Sequence, residues 1–285
     1  MTANLMVVHD QAVSSGSIVF WRHGGVVNHE KLKQAWLAAG FAENALPPRQ
    51  GDLIVLRRAM ASLENDDTIL RPVERGEDST AQGVAVLTKQ TVNGKAVFTT
   101  RWEVLLQADG SLSFQAVGDH DLDQDLNEMV RMKFEREQRV LPHGVISHWL
   151  VGLVLSCTAV SLRDSGGIYF VPKVQMQMWH AYMKVVRSVS HLKAFEIPAV
   201  SCTEAAEAVL DALAQEAATL TEKVDKEYQT LGARALATRE ASLTAYTNKL
   251  DAYAGIIGGS LDVVKQRVED LKGRVSTAML ASMDI

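Results

Sequence analysis

The chain has 285 residues, 47% hydrophobic and 22% charged, with a formal net charge of −5 and a pI near 5.9. This composition fits a folded protein of about one to two domains and excludes a disordered chain. Mild acidity excludes a global basic footprint for nucleic acid, and two cysteines, Cys157 and Cys202, are too few for a disulfide framework and fit a reducing cytoplasm.

The opening MTANLMVVHDQ lacks the basic stretch and apolar run of a secretion signal. Ser17–Trp21 reads as a short strand that His23-Gly24-Gly25 ends. Asn28 is placed to cap a helix running to about Ala39, with Leu32, Ala35, Trp36 and Ala39 as its apolar stripe and Gly40 just past its end. Pro47-Pro48 opens a second helix, Arg49 to about Leu63, with Leu53, Leu56, Met60 and Leu63 on one face. The two helices have the outline of a helix-turn-helix. Arg49, Arg57 and Arg58 would meet phosphate there, but the apolar run from Leu53 to Leu56 suits plain helix packing better.

Arg75–Thr80 reads as an exposed loop. Between 69 and 117 the period changes to that of strands, and Asn93-Gly94 and Asp109-Gly110 are hairpin turns because both central positions favour φ > 0. A three-stranded antiparallel meander follows, near 82–91, 96–107 and 111–117. Helices are expected at about 122–139, 145–162 and 173–189. Val145–Leu162 contains no Asp, Glu, Lys or Arg, yet Ser147, His148, Gly152 and Ser156 interrupt it and no aromatic belt brackets it. A buried helix is therefore favoured over a membrane span. Ile168–Val171 reads as a buried strand before Pro172, and Ala194–Pro198 as an edge strand.

From Ala199 to Ile285 there is no proline, tryptophan or phenylalanine. Such a segment can run as helix, and it lacks the aromatics that usually fill a core. Residues 203–285 carry thirteen Asp and Glu against nine Lys and Arg, which leaves the rest nearly neutral. Val209, Leu220 and Leu231 repeat every eleven residues, as do Leu213, Val224 and Ala235. Leu243, Tyr246, Leu250 and Tyr253, then Leu261, Val264, Val268 and Leu271, step by three and four, and Gly258-Gly259-Ser260 between them marks a reversal. The expected fold is α+β. A body, 1–198, comprises a helical pair (1–66), a β-meander (67–119), and helices with two short strands (120–198). A coiled-coil-like helical arm, 199–285, follows with its turn near 258–260.

Phosphate-loop, His-Glu-x-x-His, Cys-x-x-Cys and Gly-x-Ser-x-Gly motifs are missing from the sequence, which leans against an enzyme, and no cofactor is expected. Asp119, His120, Asp121 and Asp123 offer metal ligands, though no frame fits an EF-hand, and acidic residues at a helix start, with Asp121 as N-cap, account for them better. His143, His148 and His180 lie on or beside adjacent helices, His148 reading as a core residue, and Met176, Met178, Trp179 and Met183 read as core filling. Arg163 with Gly166-Gly167, joined by Arg57 and Arg58, forms a possible anion site; the alternative is Arg163 at a helix C-terminus.

Leu162-Arg163-x-x-Gly166-Gly167-x-Tyr169-Phe170-Val171-Pro172, then Ile197-Pro198, Arg239 and Leu250-x-x-Tyr253-x-x-Ile256-Ile257-Gly258, resemble an uncharacterised family of proteins encoded by bacteria and their phages. Ala38–Phe41 with Pro47, and Arg57-Arg58-Ala59, fit its front more loosely. The resemblance covers about half the chain. It implies a phage or mobile-element origin and an α+β body with a helical tail, and it transfers no catalytic residues. The resulting expectation is a cytoplasmic, non-enzymatic protein that oligomerises or binds a protein partner through the Leu243–Leu271 seam, without a membrane. Nucleic-acid binding through the front helices and Arg163 is the alternative, and a metal-dependent enzyme around Asp119–Glu128 the second.

Overall fold

The structure, a computed structural model, describes residues 14–22, 24–74, 82–118, 121–164, 166–200 and 203–283. The elements run β1 (Ser14–Arg22), β2 (Val27–Asn28), α1 (His29–Ala38), α2 (Asp52–Met60), β3 (Thr68–Glu74), β4 (Gln82–Val92), β5 (Lys95–Leu106) and β6 (Leu112–Ala116). Then come α3 (Gln124–Gln138), β7 (Val140–Leu141), α4 (His143–Ser156), β8 (Val160–Ser161), β9 (Tyr169–Pro172), α5 (Met176–Val189), β10 (Lys193–Val200), α6 (Thr203–Glu227), α7 (Ala233–Ile257) and α8 (Asp262–Met283). Contacts divide the chain into two units, 25–146 and 1–24 with 147–285. The sequence reading placed one division, at 198, whereas these boundaries fall at 24/25 and 146/147.

Unit 25–146 is built on an antiparallel sheet in the order β3-β4-β5-β6. Asn93 (φ 51) and Gly94 (φ 73) make its tight turn, as their residue types require. β3 adds a strand to the expected three. Its Pro72 is tolerated because β3 is an edge. From α2 and α3, Val55, Leu56, Met60, Val130 and Phe134 pack on Leu70, Val84, Val86, Trp102 and Val104 of the sheet in one core. α2 begins at Asp52 rather than Arg49, because the chain stays extended from Leu46 (ψ 153) to Gly51 (ψ 145), the backbone that Pro47-Pro48 favours. Its main partners are α3 and β4, not α1, so a packing unit replaces the helix-turn-helix outline. Asn28 caps α1, its side chain accepting from Lys31 N at 3.0 Å, and Gly40 (φ 82) follows the helix end. The short pairing of β2 with β7 brings the start of α1 beside the end of α3, and His29 N donates to Arg139 O at 2.9 Å.

The second unit contains an antiparallel sheet in the order β10-β1-β9-β8. Side chains alternate across it. On one face Trp21 stacks on Tyr169 and meets Trp179 of α5. On the other, Phe170 meets Tyr253 of α7. Gly16 of β1 lies so close to β9 that an added Cβ would stand 2.3 Å from Val171 O, which reserves that position for glycine.

α6, α7 and α8 complete this unit. α7 and α8 run antiparallel: Asp251 pairs with Lys265, Thr247 with Glu269 and Glu240 with Ser276, each step back on one helix matching a step forward on the other. The α7–α8 reversal falls at Gly258 (φ 68). A second reversal, at 228–232, interrupts the eleven-residue pattern expected to continue from Val209 to Ala235. Thr230 and Gly232 are poor helix formers, and the chain turns there to lay α7 back on α6. The helices share one core with Val160, Phe170 and Ala199 of the sheet.

The expected helix over 145–162 ends at Ser156. Thr158 adopts φ 53 and Val160-Ser161 become β8, a hairpin partner of β9. No helix among the described residues is long and apolar enough to cross a membrane.

Candidate functional site

The seam named by the heptad-like pattern lies inside its unit. Leu243, Tyr246, Leu250, Tyr253, Leu261, Val268 and Leu271 are buried, and Val264 packs partly buried against them. This face is not available to another chain while the unit stays folded. Its polar atoms bind backbone: Tyr246 Oη donates to Leu213 O at 2.5 Å, and Tyr253 Oη to Thr158 O at 2.9 Å. Burial pushes both phenols well above the usual tyrosine range, and the Glu216 carboxylate adds to the shift, so both remain protonated donors. Lys249 Nζ reaches Ala159 O at 2.7 Å and Glu216 Oε2 at 2.6 Å. One face of α7 thus grips two successive carbonyls of the left-handed turn after α4.

The anion candidates divide between the two units, Arg57 and Arg58 in one and Arg163, Gly166 and Gly167 in the other. Arg58 is committed to Glu137, through Nε to Oε2 at 2.6 Å and Nη2 to the carbonyl at 2.8 Å, and to Gln50. Arg57 is exposed on α2, in the other unit from Arg163. Arg163 sits in the β8–β9 turn rather than at a helix end, its carbonyl accepting from Gly166 N and Ser161 Oγ at 2.8 Å each. Gly166 (φ 70) and Gly167 (φ 93) shape that hairpin. Of the metal candidates, Asp119 and His120 lie outside the described residues, as do Cys202 and the Arg75–Thr80 loop. Asp123, not Asp121, is the N-cap of α3, accepting from Leu126 N at 3.1 Å. Among the described residues no group of three or more His, Cys, Asp or Glu is placed to hold a metal ion. His148 is exposed on α4 rather than in the core.

Two nucleophiles merit inspection. Cys157 is buried, and burial pushes its thiol up to about 11, so the thiolate is disfavoured. Ser17 Oγ donates to Glu196 Oε1 at 3.0 Å, and His180 Nε2 meets Glu196 Oε2 at 2.7 Å. The carboxylate stands between hydroxyl and imidazole, so the serine meets a weakly basic carboxylate rather than the imidazole, and the order differs from a hydrolytic triad.

What the molecule does present is an apolar patch and a polar cleft, neither marked in advance by the sequence pattern. The patch lies on β10, the sheet edge, where Phe195 is 43% and Ile197 52% exposed and Phe195 stacks on Phe20 at 5.0 Å. The cleft, about 240 Å³, opens in unit 25–146 where the first turns of α1 and α2 meet the last residues of α3 and β7. His29, 7% exposed, lines it, and its Nδ1 has no hydrogen-bond partner. Seeing it requires Arg139 and His29 side by side, more than a hundred residues apart in sequence, and a lone His carries no signal of that.

A family model described as "Family of unknown function (DUF6744)" matches residues 16–284, and the chain belongs to that family. No curated protein and no solved structure matches it.

Proposed function

We propose that this member of a family of unknown function is a non-enzymatic interaction protein of phage or mobile-element type, working in the cytoplasm and associating with a second copy of itself. The observation that carries this reading is the exposed Phe195–Ile197 patch beside Phe20. Apolar side chains grouped at the free edge of a sheet are a common mark of a protein interface. Self-association suits the patch because β10 is an edge strand, and a two-fold contact needs only one surface used twice. Lys193 at the start of the strand and Pro198 within it disfavour open-ended edge pairing, so the contact runs through the apolar face. The buried seam of α7 and α8 serves the core, and the outward patch takes the role of partner surface.

The nucleic-acid alternative draws less support, since Arg58 is neutralised by Glu137. Replacing Phe195 and Ile197 together with Lys leaves the buried core untouched. Light scattering after size exclusion should show a dimer or larger for the natural chain and a monomer for the variant. A natural chain that stays monomeric up to high concentration would sink the reading.

A further inference from the structure

We propose that Asn93, at the tip of the β4–β5 hairpin, is a site of spontaneous deamidation, its side-chain amide displaced by the backbone nitrogen of Gly94. Asparagine is among the thermolabile residues. Its lability depends on the residue that follows and on how firmly the local backbone is held. The hairpin leaves this position open. Pairing with β3 ends at Thr68–Thr88 and pairing with β6 at Trp102–Ala116, so Gln90–Val92 and Lys95–Val97 pair only with each other. Every residue from Lys89 to Thr99 is exposed.

The other asparagines are held. Asn28 uses its Oδ1 to cap α1, accepting from Lys31 N at 3.0 Å. In Asn65, Oδ1 accepts from Asp67 N at 2.9 Å and Nδ2 donates to Leu63 O at 3.3 Å. Asn127 and Asn248 lie within α3 and α7, where the nitrogen that follows belongs to the helical ladder. Asn93 alone precedes a glycine. Among the described residues neither its side chain nor Gly94 N makes a hydrogen bond, and no Cβ on Gly94 shields the nitrogen.

One restraint opposes the reaction. Asn93 (φ 51) and Gly94 (φ 73) sit in the left-handed region that the turn requires, and the nitrogen reaches Asn93 Cγ only when the turn relaxes. That relaxation frays the end of a two-stranded ribbon, which is marginally stable by itself, and leaves the core of the unit in place.

The atoms balance without an oxidant. Gly94 N loses its proton and attacks Cγ, the Cγ–Nδ2 bond breaks, and ammonia leaves with that proton as a five-membered imide closes. Water then opens either imide C–N bond. Opening at Cγ gives aspartate on the ordinary main chain. Opening at the main-chain carbonyl gives isoaspartate, with the chain rerouted through Cγ and one carbon longer. Asp-Gly still suits the two-residue turn, whereas the longer isoaspartyl backbone does not. Either product adds a carboxylate two residues from Lys95.

The test keeps the full chain folded at about 37 °C and a pH near 8 for several weeks and follows the tryptic peptide Gln90–Lys95 by mass spectrometry. The peptide should gain about 1 Da and separate by chromatography into aspartyl and isoaspartyl forms. Asn93 should convert at least about tenfold faster than Asn28 and Asn65 in the same sample. Gly94→Ala should slow the conversion by about tenfold or more, because its Cβ crowds the attacking nitrogen. A peptide that keeps its mass, equal conversion at Asn28, Asn65 and Asn93, or an unchanged rate in Gly94→Ala would each overturn the proposal. No residue of the β10 patch takes part, so this proposal and self-association can fail separately.

Discussion

The two faces of the β10-β1-β9-β8 sheet are covered by different chemistry. On the α5 face, aromatic rings do the packing: Trp21 lies 5.5 Å from Tyr169 and 6.0 Å from Trp179. On the α6–α8 face Phe170 meets a bundle of Leu, Val and Ala, with Tyr246, Tyr253 and Lys249 as its polar fasteners. Rings bury large areas with few side chains. Aliphatic seams need length to match them, and the three helices provide that length. A segment without Trp or Phe can therefore be as much a part of a core as an aromatic one. Its lack of rings does not make it an appendage.

The largest break in this comparison comes from removing one cover. A chain ending at residue 200 uncovers Val160 and Phe170, which are buried in the core shared with the bundle. It should aggregate or lose the cooperative melting of that unit. A fragment of residues 25–146, with its own core on β3–β6, should stay soluble and melt cooperatively by circular dichroism. A soluble, cooperatively folded 1–200 chain would mean that the aromatic face suffices.

A single charge should do much of the same damage. Leu250 is fully buried in the aliphatic seam, and Leu250→Asp places a carboxylate there with no partner, at a cost of about 4 kcal/mol. In a unit of this size that lowers the melting temperature by roughly 10 °C. Leu280→Asp, at a position exposed on α8, should change stability by no more than about 0.5 kcal/mol. Equal, small shifts for the two variants would show that the seam carries little of the fold.

The same contrast explains which parts were legible in the sequence. Local chemistry located the Asn93-Gly94 turn, the Asn28 cap and Gly258, because each is decided by one or two residues. The apolar steps of α7 and α8 identified the buried stripe, but periodicity alone does not say whether a stripe meets its own sheet or another chain. β3 escaped because Arg71, Pro72 and Glu74 dilute its β pattern, which an edge strand can afford. β8 escaped because Val160-Ser161 continues an apolar helical run, and only pairing with β9 makes it a strand. The cleft at His29 escaped entirely. Its lining comes from three segments far apart in the chain, and only the fold brings them together.

A smaller effect than that of Leu250→Asp, and of opposite sign, tests how α7 holds the sheet. Thr158 is a β-branched residue at φ 53, and its buried Oγ1 has no hydrogen-bond partner. The left-handed conformation costs a non-glycine residue about 1–2 kcal/mol, and the unpaired hydroxyl adds to that. Tyr253 and Lys249 hold the turn by binding the carbonyls of Thr158 and Ala159. Thr158→Gly keeps both carbonyls and removes the strain and the orphan hydroxyl. Against this stand the greater freedom of glycine in the unfolded chain, about 0.5–1 kcal/mol, and the loss of one partly buried methyl. The net expectation is a gain of up to about 1 kcal/mol, read as a higher urea midpoint with an unchanged slope. Tyr253→Phe should move the midpoint the other way by a similar amount, because the Thr158 carbonyl then loses its donor. If Thr158→Gly is destabilising, the turn draws its stability from the threonine itself, and the grip from α7 is not what maintains it.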